Sequence, residues 1–267
     1  MCPRGRRFVN DAGHLVGHVL AIETESDGVV LVDTGIGRAC MADLRGHMGA
    51  LTAEMIRPIA DVTRTAHHQL VGLGLDASDV RHIVLTHLDA DHAGGLADFP
   101  EATVHVHGAE LDAAVNPRTT AEQQRYRRRL WDHGPRWRTY RTADGEAWHG
   151  FPSARPLATD DGSGRTLDDI VLLALPGHTR GHMAVAVDRA SDGWLVHAGD
   201  AYFHTAAVHP EQGRPSRMLT AFEQAVAIDR SVLADNHARL TELEQSGAAT
   251  VVCAHDPSEL AALALRS

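Results

Sequence analysis

The chain of 267 residues contains no lysine; all 25 of its basic side chains are arginine. Chemistry that runs through a lysine amine, such as a Schiff base, is therefore excluded. Arginine is left as the only fixed cation for an anionic substrate group. Aromatic residues are scarce, at 4%. Cysteine is scarcer still: Cys2, Cys40 and Cys253 are odd in number and far apart, so no disulfide framework or Cys-x-x-Cys site is visible. Such usage suits a reducing compartment. No stretch reaches the roughly 18 apolar residues that a membrane helix needs. The N-terminal MCPRGRRFVNDAGHLVG is basic, but it has no apolar core of a signal peptide. These absences predict a cytoplasmic protein with no membrane association. Positive charge is also in deficit, the formal net charge being −10. An acidic protein repels polyanions, which argues against nucleic acid as a partner. The run Arg125, Arg127, Arg128 and Arg129 is a local exception, and it is expected to be a solvated helix face.

Against these deficits stands an excess of histidine. There are 19, spread from His14 to His255, too dispersed for a compact metal-binding tract. The hydrophobic fraction of 43% and charged fraction of 22% are ordinary for a globular chain. At this length a chain buries roughly 70–75% of its unfolded surface and needs no covalent staples.

The pattern along the chain predicts short strands at 18–23 and 29–33 around the turn Ser26-Asp27-Gly28, which reads as a hairpin. Helical spacing follows over 51–73, then a buried strand at 80–86, a short strand at 103–107 and a helix after Gly108. From about 117 to 169 the aliphatic periodicity weakens. Six of the twelve aromatics (Tyr126, Trp131, Trp137, Tyr140, Trp148 and Phe151) lie there among arginines and Gly and Pro breaks. A mobile linker would have few aromatics, so the segment reads as a helical and loop insertion that packs, perched over a binding site. Strands are expected again at 170–175, 182–187, 194–197 and 249–253, with helices over 218–244 and 257–265. This order predicts one domain over residues 1–267, an α/β fold with two β layers between helices, each half of the chain giving one layer.

The chemistry is concentrated in Thr86–Leu96, THLDADHAGGL. Four candidate metal ligands, His87, Asp89, Asp91 and His92, stand within six residues at a strand end. Successive strand side chains point to opposite faces, so four donors this close require a loop wrapped around a centre. Imidazole with carboxylate suits zinc, iron or manganese. A polar turn with capping aspartates is the alternative reading of this segment alone. Three further segments each put a donor just past a strand: His178 in LPGHT, Asp200 in HAGD and His255 in VCAHD. In layered α/β structures such loops collect along one edge. Seven donors from four loops are enough for two metals.

This set of motifs resembles the metallo-β-lactamase-fold hydrolase superfamily over roughly residues 29–257. Its markers here are LVDTG, the His-Asp motif followed by Gly-Gly, PGHT, GD and AHD. The resemblance implies a four-layer αββα sandwich with the site along one edge of the sheets. It implies one metal on His87, Asp89 and His178, a second on Asp91, His92 and His255, and Asp200 bridging the two. Most members have histidine at position 89, so Asp89 is a departure, and a carboxylate there shifts preference toward harder metals. The implied cofactors are two divalent cations, zinc first, with manganese or iron as alternatives. Asp91 is a candidate proton relay. Tyr202 in GDAYF is a candidate hydrogen-bond donor to an oxyanion, with a satisfied core tyrosine as the other reading. Asp33 is expected to support the site through hydrogen bonds to nearby loops. His182 and His204 are candidate supports or substrate contacts.

The function expected from this set is metal-dependent hydrolysis of a small ester-like bond, a lactone first. Thioester or phosphoester hydrolysis is the nearest alternative within the class. Iron-dependent oxygenation is the alternative outside it, and oxygen uptake with a thiol substrate would discriminate. The expected partner is a small-molecule substrate, and dimer-forming members of the superfamily leave a homodimer open.

Overall fold

A computed structural model describes residues 15–159 and 164–264. The basic N-terminal segment and Cys2 lie outside the described residues. The first sheet has five strands, and its first two form the expected hairpin. β1 (Leu20–Glu23) pairs antiparallel with β2 (Val29–Val32), and Gly28 turns the chain with φ +65°, a backbone region that glycine enters without steric cost. β3 (Val80–Val84), β4 (Thr103–His107) and β5 (Arg136–Tyr140) then add in parallel, giving the order β1-β2-β3-β4-β5. The second sheet comprises β6 (Glu146–Trp148), β7 (Phe151–Ala158), β8 (Thr166–Ala174), β9 (Met183–Asp188), β10 (Trp194–His197) and β11 (Ala249–Val252). They lie in the order β11-β10-β9-β8-β7-β6.

The period-two alternation of side chains explains how the sheets stack. Val30, Val32 and Val84 of the first sheet pack with Leu157, Ile170, Leu172, Met183 and Val185 of the second, forming a core between the sheets. The alternate residues Val29, Leu31, Ile83 and Val104 face outward into a core with Cys40, Met48, Leu70 and Ala113 of the first helical layer. On the other side Val171, Leu173, Ala184, Ala186 and Val196 pack with Leu240 and Leu243 of the helix Arg230–Gln245. β2 is buried at every residue because both of its faces are covered. The result is the αββα sandwich, with each half of the chain giving one sheet.

Two expectations need correction. The helical spacing over 51–73 resolves into separate helices, Ala50–Ile56 and Ala66–Gly72. Arg57, left-handed at φ 49°, ends the first just before Pro58, whose ring disfavours helix in the preceding residue. The segment 117–169 is not simply helix and loop. After the helix Thr120–Arg125 it supplies β5, β6, β7 and the start of β8. β5 and β6 are edge strands and need only a partial apolar face, so RWRTY and EAW escape a search for aliphatic runs. Nor do the aromatics there sit over a site: Tyr126 and Trp131 pack in the helix-side core, Tyr140 between the sheets and Phe151 in the second outer core.

Candidate metal centre

Loops that follow β2, β3, β8, β10 and β11 meet at one edge of the sandwich, and backbone hydrogen bonds stitch them together. Thr34 N donates to His92 O at 2.8 Å, Met183 N to Thr86 O at 2.8 Å and Ala254 N to Gly199 O at 2.9 Å. The close approach explains the Gly-Gly after the histidine motif: a Cβ at Gly94 would lie 3.0 Å from Gly35 O, and one at Gly95 2.7 Å from Thr34 O. Gly199, at φ +54°, likewise leaves room for His182, whose Nε2 would lie 2.7 Å from an added Cβ.

All seven candidate ligands come together, in two cages that share Asp200. In the first, Asp89 Oδ2 lies 3.3 Å from His87 Nε2 and 3.2 Å from His178 Nε2. Asp200 Oδ2 lies 3.7 and 3.4 Å from the same two nitrogens. In the second, Asp200 Oδ1 lies 3.1 Å from His92 Nε2 and 3.0 Å from His255 Nε2. Asp91 Oδ2 completes it at 3.9 and 3.7 Å. Donors held ~2.0–2.1 Å from a tetrahedral zinc ion would be spaced about 3.3–3.4 Å apart. His87, His178 and Asp200, and likewise Asp91, His92 and His255, bring their ligand atoms within 4.8 Å of one another, and Asp89 Oδ2 stands beside the first set. With aspartate at position 89 the cages have the same composition: two imidazoles, one carboxylate of their own and one oxygen of Asp200.

The far nitrogens of three rings fix how those rings face the centre. His92 Nδ1 donates to Asp33 Oδ2 at 2.8 Å, and His255 Nδ1 to Val16 O at 2.7 Å. Thr86 Oγ1 donates to Asp33 Oδ2 at 2.8 Å and so accepts from His87 Nδ1 at 3.0 Å. Each bond leaves Nε2 as the bare, ligating nitrogen. Asp33, with φ 60° at the end of β2, also accepts Thr86 N at 2.8 Å, which is the supporting role expected of it. His182 supports Asp200: its Nδ1 donates to Leu175 O, and its Nε2 accepts Asp200 N at 3.0 Å. His204 instead accepts Ala206 N at the start of a short 3-10 turn.

The electrostatics show what the cages want. Burial opposes ionisation of Asp200, yet the surrounding histidines, led by His255, hold its carboxyl well below the usual range. Asp89 is partly buried, and Arg125 and His87 hold its carboxyl well below the usual range. Burial pushes His178 down to about 4 and His182 well below its ordinary value. Burial also works against charge on His92 and His255, but Asp200 outweighs it, raising His92 well above the ordinary value and His255 to about 9. A positive charge is therefore favoured between those rings and Asp200. His87 Nε2, His92 Nε2 and Asp200 Oδ1 are buried without a hydrogen-bond partner. Buried polar atoms almost always have partners, and these point into the cages, so the donor set fits two cations.

One site residue is corrected. The Tyr202 side chain is 0% exposed, and its hydroxyl donates to Glu259 Oε1 at 3.0 Å. In this structure it is a satisfied core tyrosine, its hydroxyl committed to Glu259. Its neighbour Phe203 is the residue against the centre, its ring 5.9 Å from that of His178 and 5.2 Å from that of His255. Sequence reasoning also missed Glu110 and Arg125. The fully buried Glu110 accepts Leu88 N, Tyr126 Oη and Gly181 N, tying two ligand loops to one helix. Arg125, expected on a solvated face, places Nε 3.0 Å from Asp89 Oδ1. Nothing in their local pattern marks either residue as part of a centre, because their partners are distant in sequence.

Comparison with known proteins agrees with this geometry. Residues 12–255 match the family model described as metallo-beta-lactamase superfamily. A relative from Mycobacterium tuberculosis, a probable metallo-hydrolase, is 45% identical over 91% of this chain and 75% of its own length. An N-acyl homoserine lactonase, AttM of Rhizobium johnstonii, is 26% identical over 88% of this chain and 80% of its own. Among solved structures, a Bacillus thuringiensis AiiA mutant with N-decanoyl-L-homoserine bound at its active site superposes with a TM-score of 0.66. That match has 19% identity and covers 93% of this chain and 84% of that one. Family match, fold and converging donors agree: the chain belongs to the metallo-β-lactamase superfamily and is a metallohydrolase of that fold.

Proposed function

We propose that this protein hydrolyses small ester-like bonds, with lactones as its substrate class, at two divalent cations held by His87, Asp89 and His178 on one side and by Asp91, His92 and His255 on the other, with Asp200 shared. The observation that carries the reading is the shared carboxylate. Its two oxygens face two cages of matching donors, an arrangement with no purpose in a site for a single cation. Bound cations would supply an acidified water as nucleophile and polarise the substrate carbonyl.

The chain's own residues hold and orient. His182 fixes Asp200 through its backbone N–H, and Asp33 fixes both His92 and Thr86. Asp91 pairs with His92 and His255 and has no arginine partner among the described residues. We assign it the proton-relay role in the reaction. Phe203 presents an apolar ring beside His178 and His255, suited to an acyl group. The alignment with an N-acyl homoserine lactonase over most of the chain supports lactones over thioesters and phosphoesters. Zinc suits the nitrogen donors, and the equal share of carboxylate oxygens leaves manganese and iron as competitors.

The test is a panel of N-acyl homoserine lactones, simple lactones, thioesters, phosphodiesters and β-lactams, assayed by acid release with protein loaded with zinc, manganese or iron. Lactone opening that is abolished by a chelator and restored by the cation is the expected result. Turnover of thioesters or phosphoesters alone would reassign the substrate class, and full activity in protein free of metal would overturn the reading.

A further inference from the structure

The arginine run is the sequence feature that hydrolysis leaves unused, and one of its members reaches the centre. Arg125 ends the helix Thr120–Arg125, and its side chain is only 13% exposed. It spreads over three segments: Nη1 donates to His178 O at 2.9 Å and Nη2 to Val226 O at 2.7 Å, while Nε lies 3.0 Å from Asp89 Oδ1 as a charge contact without a hydrogen bond. Its stem is fixed as well. The next residue, Tyr126, donates to Glu110, which also accepts Leu88 N and Gly181 N beside the two ligand loops.

We infer that Arg125 is a positioning residue for the first cage, compensating for aspartate at position 89 by holding that carboxylate as a one-oxygen donor of offset charge. The inference rests on the reading of the cages as cation subsites. An unrestrained carboxylate can rotate to offer both oxygens or swing out of reach. With Oδ1 against the guanidinium, Asp89 presents only Oδ2 to His87 and His178. The arginine charge offsets that of the carboxylate, so the pair contributes the net charge of a neutral imidazole. Its bond to the His178 carbonyl anchors the backbone of a second donor in the same cage. Residues that orient a metal ligand typically change metal affinity by about 10–100-fold when removed. The second cage has no arginine against its donors among the described residues.

The experiment measures cation stoichiometry and stepwise affinity by chelator competition, with cobalt(II) absorption as a signature of each subsite. Wild type, Arg125→Ala, Arg125→Gln and Arg125→Lys are compared, together with melting of the metal-free proteins. Two cations are expected in wild type. Arg125→Ala should keep one near wild-type affinity and hold the other about 10-fold or more weakly, with one cobalt signature altered. Arg125→Lys, which keeps the charge but not the three-way reach, should fall between. Two cations at wild-type affinity in Arg125→Ala would overturn the inference. So would equal weakening of both subsites, or failure of both Arg125→Ala and Arg125→Gln to fold, since either makes the arginine a general structural element. Absence of cations from wild type would instead remove the reading of the cages themselves.

Discussion

The two cages are built from the same donors and backed differently. In the second, His92 is backed by the carboxylate of Asp33 and His255 by the carbonyl of Val16. In the first, His87 is backed by the Thr86 hydroxyl, and His178 Nδ1 is buried with no partner. Arg125 stands against the carboxylate of the first cage, whereas among the described residues the carboxylate of the second pairs with its own histidines alone. An acceptor behind an imidazole raises its basicity as a ligand, and the second cage has the better-backed rings. Identical donor sets therefore give unequal sites. The second cage should fill first and empty last, so that a chelator titration releases cations in two steps.

Asp200→Ala is the change that erases the comparison, because both cages lose a donor together. Cation content should fall for both sites, and turnover should fall with it to the level of chelator-treated protein. Metal analysis after dialysis checks the first result and lactone turnover the second. A protein that still holds two cations would show that Asp200 does not join the cages.

Asp33→Asn sharpens the comparison from the other side. It leaves the shape but weakens the acceptor behind His92 and Thr86. The second cage should lose about 10–100-fold in affinity and the first much less, although Thr86 also backs His87. The two-step titration should then collapse toward one step. Unchanged stepwise affinities would remove the role of Asp33.

Acid should separate loaded from stripped protein. Burial keeps His178 and His18 neutral, each lowered to about 4, and His182 well below its ordinary value. Below pH 6.5 the unfolded chain binds protons at these rings that the fold refuses, so stability falls as pH drops from 6.5 toward 4. The slope is up to about 1.4 kcal/mol per pH unit for each ring. His92 and His255 work oppositely in stripped protein. Their raised values favour the folded, protonated form below pH 6.5, and for His255 that contribution is lost as pH rises through about 9. A bound cation takes the place of those protons, so the loaded protein should lose Tm more steeply between pH 7 and 5 than the stripped one. Parallel melts with and without chelator decide it, and equal slopes would contradict the assignment of His92 and His255 as ligands.

The sequence made the centre legible because its donors are local signatures, each sitting just past a strand. His178, Asp200 and His255 could be placed from LPGHT, HAGD and VCAHD without knowing which strands were neighbours. The buried strands β2, VVLV, and β9, MAVAVD, were legible as nearly unbroken apolar runs. What escaped depends on partners brought near only by folding. Arg125 looks like any helix-face arginine until Asp89, 36 positions earlier in the chain, is set against it. Glu110 is one acidic residue on a short helix until three donors converge on it. The edge strands β5 and β6 escaped because half-exposed strands carry little of the apolar signal that betrays buried ones. Tyr202 and Phe203 show the limit most sharply: adjacent aromatic residues on one loop point to opposite sides, and the sequence alone does not say which faces the centre.

That last pair yields the smallest predicted effect. Tyr202→Phe removes one buried hydroxyl and its bond to Glu259 Oε1, while Glu259 Oε2 keeps Cys253 N at 2.7 Å. Burial raises Glu259, so its carboxyl can retain a proton when a partner is lost, softening the cost. Stability should fall by about 1 kcal/mol, the net worth of one buried hydrogen bond, and both cations and turnover should remain. Phe203→Ala is the contrasting change. It strips the ring beside His178 and His255 and should raise KM for long acyl lactones more than for short ones, with the cation content intact. If Tyr202→Phe instead lowered turnover at full cation content, the loop would have to rearrange on binding substrate, turning the tyrosine toward the centre.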